Sequence, residues 1–190
     1  MVPIHFWSVE HRKFEKNYGK EKGRKITNIL GMVSGWGFFL FLFGIWISPQ
    51  PKFLIPVLGD LAIVIPVLNL TIPVLHLVIA IPVILIGAWF GIAGVRGTSL
   101  KVAETHRPER VVTSGIYARI RHPQYFGAIC AHVGVSILRS ALYALVATPL
   151  IIFYNYVTAW KEEQELIKEF GKEYEEYRST VPKLYPRLRK

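Results

Sequence analysis

Residues Gly115 to Gly127, GIYARIRHPQYFG, place two arginines, a histidine and two tyrosines directly before an apolar stretch. A second polar segment, WKEEQELIKEF, follows the last apolar stretch and carries the neighbouring carboxylates of Glu162 and Glu163. Carboxylates beside a membrane-like apolar segment are unfavourable unless positive groups meet them. Cations and carboxylates within reach of one another can bind a zwitterionic or multiply charged small ligand through charge-assisted hydrogen bonds.

Four apolar runs must position these two polar segments. The chain is 52% hydrophobic, and the runs Ile29–Ile47 and Leu75–Val95 contain no Asp, Glu, Lys or Arg over 19 and 21 residues. A helix rises about 1.5 Å per residue, so each is long enough to cross a hydrocarbon core of about 30 Å. Two further runs lie at Tyr125–Leu138 and Ala141–Trp160. The sequence therefore predicts an all-α integral membrane protein with about four transmembrane helices and cytosolic C-terminal helices.

The last two apolar runs are separated only by Arg139 and Ser140, which predicts a tight C-terminal helical hairpin. Its first helix has roughly 16 residues and a length of about 24 Å, so its polar start lies at the membrane surface or slightly below it. The hairpin returns Arg121 and His122 to the neighbourhood of Glu162. We expect these side chains to line a polar pocket that is partly shielded from water.

The basic residues predict the orientation in the membrane. With four spans, residues 1–28, 96–124 and 161–190 carry 7, 6 and 8 of the 23 lysines and arginines, which places 21 on one side and 2 on the other. Such a bias marks the cytosolic side. The sequence thus predicts a multi-pass protein of the cell membrane with both termini in the cytosol.

The connection at residues 49–74 is rich in proline, which interrupts helical hydrogen bonding and argues against a fifth span. A fifth span would also weaken the bias to 15 against 8. We expect an extracytosolic or re-entrant segment. The chain then divides into a basic cytosolic arm without a site (1–28), two spans with their connection (29–95) and a C-terminal region with the polar motifs (96–190).

Composition also argues against other classes of function. The net charge of +10 is accounted for by topology and by attraction to anionic lipid, so we expect no nucleic-acid partner. The single cysteine, Cys130, cannot form an intrachain disulfide and lies in an apolar run. We expect no metal site, and the sequence leaves the oligomeric state open.

The segments VVTSGIYARIRHPQYFG and EEQELIKEFGKEYEEYRSTVP closely resemble the superfamily of isoprenylcysteine carboxyl methyltransferases and phospholipid N-methyltransferases. The resemblance covers Glu109 to Pro186, whereas the first hundred residues share only their hydropathy with the superfamily. It implies an integral membrane methyltransferase that uses S-adenosyl-L-methionine. The implied acceptor is a membrane lipid or a prenylated or otherwise lipophilic molecule, similar to an isoprenylcysteine carboxylate or a phospholipid amine.

The resemblance also implies roles for individual residues. Glu163 is a candidate base for an amine acceptor, which must lose a proton before it is methylated. Thr158 occupies the position at which isoprenylcysteine methyltransferases usually carry an arginine that meets the substrate carboxylate, so a prenylcysteine substrate is less expected here. The implied cofactor-binding residues are Glu109, Arg110, Val111, Val112, Tyr117, Arg121, His122, Pro123, Gln124, Tyr125 and Glu162.

Two alternatives to this function stay open at the level of sequence. Sterol reductases share a related C-terminal hairpin and use a nicotinamide cofactor, although they usually have many more than four spans. A non-enzymatic membrane scaffold is the other alternative, and it would bind no cofactor.

Overall fold

The computed structural model of the protein describes residues 2–55, 61–68 and 70–186, and it is 76% helical. A two-stranded antiparallel sheet consists of β1 (Ala62–Ile65) and β2 (Leu70–Pro73), and short 3-10 turns cover Pro66–Leu68 and Gly115–Ala118. The described α-helices are α1 (Val2–Val9), α2 (His11–Tyr18), α3 (Lys20–Ile47), α4 (Val74–Thr98), α5 (Leu100–Thr105), α6 (Pro123–Leu138), α7 (Leu142–Val146), α8 (Thr148–Phe170) and α9 (Lys172–Thr180).

Helices α3, α4, α6 and α8 run in alternating directions between two ends of a bundle. At one end, called the polar end below, the start of α6 contacts the C-terminal half of α8 through His122 and Glu163. At the opposite end, Arg139 after α6 donates a hydrogen bond to the carbonyl of Trp46 in α3, and His76 near the start of α4 contacts Ser140. Both α1 and α9 lie at the polar end, because α1 packs on α3 and α8 and α9 follows α8.

The bundle is apolar outside and contains many small or polar residues inside. Trp36 and Leu40 of α3, Leu85 of α4 and Phe153 of α8 all expose more than half of their surface. This arrangement is typical of helices in lipid, where close packing of small residues replaces the hydrophobic effect. Helices α3 and α4 are each long and apolar enough to cross a membrane. Buried interior positions include Thr27, Ser34, Ala80, Asn155, Thr158 and Ala159.

Helices α4 and α6 approach each other through glycine. A Cβ atom on Gly87 would lie 2.7 Å from the backbone nitrogen of Ala131, and one on Gly127 would lie 2.7 Å from the carbonyl oxygen of Gly87. No side chain fits at these distances, so glycine is required where the backbones touch. A Cβ on Gly94 would lie 2.7 Å from Cγ of Gln124, and the backbone nitrogen of Gly91 would lie 2.8 Å from a Cβ on Gly127, whereas a Cβ on Gly91 itself would meet nothing within 4 Å.

The connection between α3 and α4 contains an antiparallel β-hairpin, with Ile63 opposite Ile72 and Val64 opposite Thr71. The sequence predicted an interrupted, non-helical segment here without recognising strands. Residues 56–60 and 69 of this connection lie outside the described residues. The hairpin lies at the end of the bundle opposite the polar end, because Val74, which begins α4, donates a hydrogen bond to the carbonyl of Leu61.

The C-terminal hairpin differs in detail from the predicted one. The turn at Arg139 and Ser140 is present, but α7 ends at Val146 and α8 begins only at Thr148. Pro149 explains the break, because proline lacks an amide hydrogen and is compatible only with the first turn of a helix. The long helix that carries Glu162 therefore starts later than predicted.

The N-terminal arm folds into helices that pack against α3. Helix α3 begins at Lys20, so the predicted boundary at residue 28 falls inside it. Gly19 has a φ of +82°, and this turn folds α2 back on α3. Gly23 permits the contact, because a Cβ there would lie 2.5 Å from the backbone of Phe14. The arm is therefore packed against the bundle instead of lying free in solvent.

The glycine contact between α4 and α6 predicts a position-specific loss of stability. Gly87→Ala should lower the free energy of unfolding by about 1–3 kcal/mol, because the added methyl group overlaps the backbone of α6. Gly91→Ala, one turn further along α4, adds its methyl group to open space and should be neutral or slightly stabilising. Thermal unfolding midpoints in detergent test this difference, and equal midpoints for the two variants would contradict it.

Candidate functional site

A cavity of about 360 Å³ opens at the polar end of the bundle. Its wall comes from α1 and α2, the middle of α3, residues 98–112, the start of α6 and the C-terminal half of α8. Apolar groups such as Phe38 and Phe39 line it towards the bundle, and charged groups such as Arg110 and Glu162 line it on other sides. The cavity therefore has an apolar side towards the bundle and a charged side away from it.

The start of α6 is held in place by the C-terminal segment that follows α9. The backbone amides of Arg121 and His122 donate hydrogen bonds to the carbonyls of Pro182 and Lys183. Pro123 occupies the first turn of α6, where its missing amide hydrogen leaves no helical bond unmade. The RHP sequence therefore passes from backbone hydrogen bonds with the C-terminal segment into a helix within three residues, which fixes the direction of the His122 side chain.

Glu163 is buried among positive groups. Its Oε1 lies 3.1 Å from Nε2 of His122 and 3.1 Å from Nε of Arg121, and its Oε2 lies 3.2 Å from Nζ of Lys183. Burial raises the pKa of a carboxyl group, but these three neighbours outweigh it and lower the pKa of Glu163. Its side chain is only 2% exposed, and it joins α8, α6 and the C-terminal segment.

Glu162 lies one residue earlier and faces the cavity. Its Oε1 accepts a hydrogen bond from the Tyr125 hydroxyl and lies 3.1 Å from Nε2 of His5 and 3.7 Å from Nε2 of His106. Its Oε2 lies 3.5 Å from Nδ1 of His122. Burial alone would raise the pKa of Glu162, but it is outweighed by other influences, the largest of which is the contact with the His122 imidazole, and this pKa is held well below its ordinary value. Glu162 therefore presents a negative charge to the cavity.

His122 lies between the two carboxylates. Burial alone would lower the pKa of this imidazole, but Glu162 and Glu163 outweigh burial and raise it above its ordinary value. His106 behaves in the opposite way, because burial lowers its pKa to about 4. His122 therefore keeps its proton to a higher pH than an ordinary imidazole, whereas His106 is neutral near pH 7.

The structure brings together most of the residues that the sequence singled out. Glu109 is exposed and lines a neighbouring cavity instead. Thr158 does not line the cavity, and its hydroxyl donates to carbonyls of its own helix. Glu163 does not line the cavity either, because His122 lies between it and the cavity. The predicted cofactor-binding residues that do line the cavity are Arg110, Val111, Val112, Tyr117, Arg121, His122, Pro123, Gln124, Tyr125 and Glu162.

Sequence reasoning missed the contribution of the N-terminal arm. His5, His11 and Arg12 line the cavity, although the arm was expected to carry no site. Ion pairs hold the arm in place: Lys161 lies 2.9 Å from Glu10, and Arg107 contacts Glu15. Two histidines in an otherwise Lys-, Arg- and Glu-rich segment were the only signal, and nothing in their spacing related them to α8.

The fold and the site define a membrane-type helical bundle with a cavity at its polar end. The phospholipid methyltransferase family matches residues 74–173, slightly more than half of the chain. The chain therefore belongs to the phospholipid methyltransferase family. The resemblance carried by the two polar motifs is confirmed, and the family match begins at residue 74, inside the region where the sequence indicated a similarity of hydropathy alone.

Individual relatives act on different acceptors, according to their names. The protein-S-isoprenylcysteine O-methyltransferase of Schizosaccharomyces pombe is 31% identical over 97 residues, which cover 50% of this chain and 40% of the relative. Methanethiol S-methyltransferase 1 of Bradyrhizobium diazoefficiens is 34% identical over 99 residues, covering 51% and 33%. The human protein-S-isoprenylcysteine O-methyltransferase is 35% identical over 81 residues, covering 42% and 28%. The match thus spans less than half the length of each relative.

The environment of Glu163 predicts a role in stability. Glu163→Gln should lower the free energy of unfolding by about 3 kcal/mol, because it leaves buried positive groups without their carboxylate. Since the folded protein lowers the pKa of Glu163 from 4.5, the deficit should be complete above that pH and should shrink as the pH falls below it. Thermal unfolding in detergent across this pH range measures the deficit, with the exposed Glu176→Gln as control. A variant as stable as the native protein would contradict this role.

Proposed function

We propose that the protein is an integral membrane methyltransferase that uses S-adenosyl-L-methionine to methylate a lipophilic or lipid-linked acceptor. One observation carries the proposal: the RHPQY segment and Glu162 form walls of the same cavity in a chain of the phospholipid methyltransferase family. The relatives named as O- and S-methyltransferases support the reaction class. A nicotinamide-dependent reductase and a scaffold without cofactor remain as outcomes that the experiment below distinguishes.

The cavity fits the cofactor in size and in charge. Its volume of about 360 Å³ lies within the range of about 300–1,000 Å³ typical of small-molecule sites. Glu162 is a suitable partner for the ammonium group of the cofactor. The carboxylate of the cofactor needs a cation, and Arg121 and His122 already contact Glu163. Arg110 makes no ion pair among the described residues and is therefore the suitable partner. Tyr117 supplies an aromatic face for the adenine or the sulfonium.

The protein's part in the reaction is to orient the reactants and exclude water. When bound, S-adenosyl-L-methionine supplies a methyl group already activated by its sulfonium. Helix α1 covers the polar side of the cavity, where His5 and Val9 line it, and this cover limits the access of water. No nucleophilic side chain is needed for such a transfer, and the cavity wall needs only to align the acceptor.

The apolar side of the cavity indicates where the acceptor binds. Phe38, Phe39 and Tyr154 line it on α3 and α8, whose outer surfaces are apolar. Asn155 in the same wall is fully buried; its amide nitrogen donates to the carbonyl of Ile151, and its Oδ1 has no hydrogen-bond partner among the described residues. An unpaired hydrogen-bond acceptor such as this Oδ1 favours a substrate with an N–H, S–H or O–H group, which can donate to it. Together with Thr158 in place of arginine, this favours an amine or thiol acceptor over a carboxylate.

The same proposal includes a multi-pass topology with both termini in the cytosol. It is supported by the alternating directions of α3, α4, α6 and α8 and by the 21-to-2 partition of lysines and arginines. In that arrangement the cavity opens towards the cytosol, from which a water-soluble cofactor enters. The β-hairpin lies on the opposite side of the membrane.

Titration calorimetry of the purified protein tests the cofactor. S-adenosyl-L-methionine should bind and NADPH should not. Glu162→Gln should weaken this binding by about 1.5–3 kcal/mol, since the ammonium loses a charge-assisted hydrogen bond, and Arg110→Gln should weaken it as well because the carboxylate loses its cation. Glu173→Gln and Arg119→Gln, matched changes at exposed positions away from the cavity, should leave it unchanged.

Three results would contradict the proposal. Binding of NADPH instead would indicate the reductase, and binding of neither ligand would indicate a scaffold. Binding that is insensitive to Glu162→Gln would place the cofactor elsewhere. Turnover with an alkyl thiol, a phosphatidylethanolamine and a farnesylcysteine then identifies the acceptor class, and we expect the carboxylate substrate to be methylated least.

Single-cysteine labelling tests the topology. In a Cys130→Ser background, cysteines at Lys16 and Glu176 should react with an impermeant maleimide from the cytosolic side only. A cysteine at Val67, which is 94% exposed in the hairpin turn, should react only from the opposite side. Labelling of Lys16 and Glu176 from opposite sides would require an odd number of spans and would refute this topology.

A further inference from the structure

Three potential hydrogen-bond acceptors from three separate segments converge on the polar side of the cavity. They belong to His5 of α1, His106 just after α5 and Glu162 of α8, and one ligand atom from each lies within 4.8 Å of the others. His5 lies outside the region that matches the family, so the family match assigns it no part in the site. Both histidines and the carboxylate line the same cavity.

These groups approach one another without forming good hydrogen bonds. Nε2 of His5 lies 3.1 Å from Oε1 of Glu162 but makes no well-directed hydrogen bond. Nε2 of His106 is 3.7 Å from the same oxygen, which is beyond hydrogen-bond distance. Buried polar atoms that converge without pairing are expected to pair with a ligand.

The protonation of the cluster favours a cation as that ligand. Glu162 is ionised, and burial lowers the pKa of His106 to about 4, so this imidazole is neutral near pH 7. Nδ1 of His5 lies 3.3 Å from the Ser34 hydroxyl. A hydroxyl both donates and accepts, so Ser34 can accept a hydrogen bond from the Nδ1–H group, which leaves the lone pair of Nε2 facing the cavity. The cluster then offers one negative charge and two imidazole nitrogens that can act as acceptors.

We infer that His5, His106 and Glu162 together form the site for the ammonium group of the cofactor; this inference rests on the proposed function. An ammonium has three N–H donors and needs three acceptors. Acceptors placed about 2.9 Å from a tetrahedral nitrogen are separated by about 4.7 Å. Nε2 of His5 and Nε2 of His106 lie 3.1 and 3.7 Å from Oε1 of Glu162, so these side chains must move apart when an ammonium binds between them. A zinc ion would hold its ligands about 3.3 Å apart, which is closer to these distances, so metal binding is an outcome of the test below. In this arrangement helix α1 both covers the cavity and binds its ligand.

Calorimetry with two ligands tests the inference on the full-length protein in detergent with EDTA. S-adenosyl-L-methionine carries the amino-acid group, whereas 5′-methylthioadenosine has the same nucleoside and sulfur without it. His5→Leu and His106→Leu should each weaken binding of the first ligand about 10- to 100-fold, the loss expected for a hydrogen bond to a charged group, and should leave binding of the second unchanged. His5→Gln keeps an acceptor near the position of Nε2 and should retain most of the affinity.

Trp7→Leu, an exposed change in the same helix, is the matched control and should alter neither affinity. Unfolding midpoints of all variants are measured alongside, and the unchanged affinity for methylthioadenosine shows that the cavity is intact. An equal loss for both ligands in His5→Leu would mean that α1 acts only as a cover and would overturn the inference.

Three further results have defined meanings. If the native protein binds S-adenosyl-L-methionine and His5→Leu leaves that affinity unchanged, the inference is wrong while the proposed function stands. If the native protein binds neither ligand, the proposed function fails and the inference fails with it. If, without EDTA, the native protein binds one equivalent of Zn²⁺ that His5→Leu abolishes, the cluster is a metal site and the ammonium assignment is overturned.

Discussion

The contact between His122 and the carboxylates of Glu162 and Glu163 is the interaction on which the polar end depends. It connects the first residue before α6 to the C-terminal half of α8, and Lys183 adds the C-terminal segment through Glu163. A buried carboxylate is unfavourable without positive partners, so these elements must meet for either one to be stable. The neighbouring carboxylates then have different surroundings: Glu163 is enclosed by cations, whereas Glu162 faces the cavity.

The different surroundings of Glu162 and Glu163 follow from the helical geometry of α8. Adjacent residues on a helix point about 100° apart, so Glu162 and Glu163 cannot occupy the same environment. Glu163 points towards Arg121 and Lys183, and Glu162 points towards His5 and His106. A carboxylate bound by three cations stabilises the fold, and one that retains charge beside two imidazoles can bind a ligand.

The bundle itself is constrained by the opposite property, an apolar exterior with a small-residue interior. Glycines at positions 87 and 127 allow the backbones of α4 and α6 to touch, which sets the position of the start of α6 relative to the end of α4. The hydroxyl of Tyr117 donates to the carbonyl of Gly94 and ties the loop before α6 to the same helix end. Close packing in the apolar part therefore determines where the polar groups meet.

The sequence by itself determined the helical class, the apolar segments and the approach of Arg121 and His122 to the carboxylates of α8, because hydropathy and short connections are local properties. It also carried the family resemblance in two contiguous motifs. Tertiary structure alone decided that Glu163 is enclosed while Glu162 faces the cavity, that Glu109 lies outside the cavity, and that the hydroxyl of Thr158 is bonded within its own helix. It also decided that α1 and α2 fold back to bring His5 within 3.1 Å of a residue 157 positions later. Such contacts depend on the turn at Gly19 and on side-chain directions in packed helices, and neither leaves a periodic signal in the sequence.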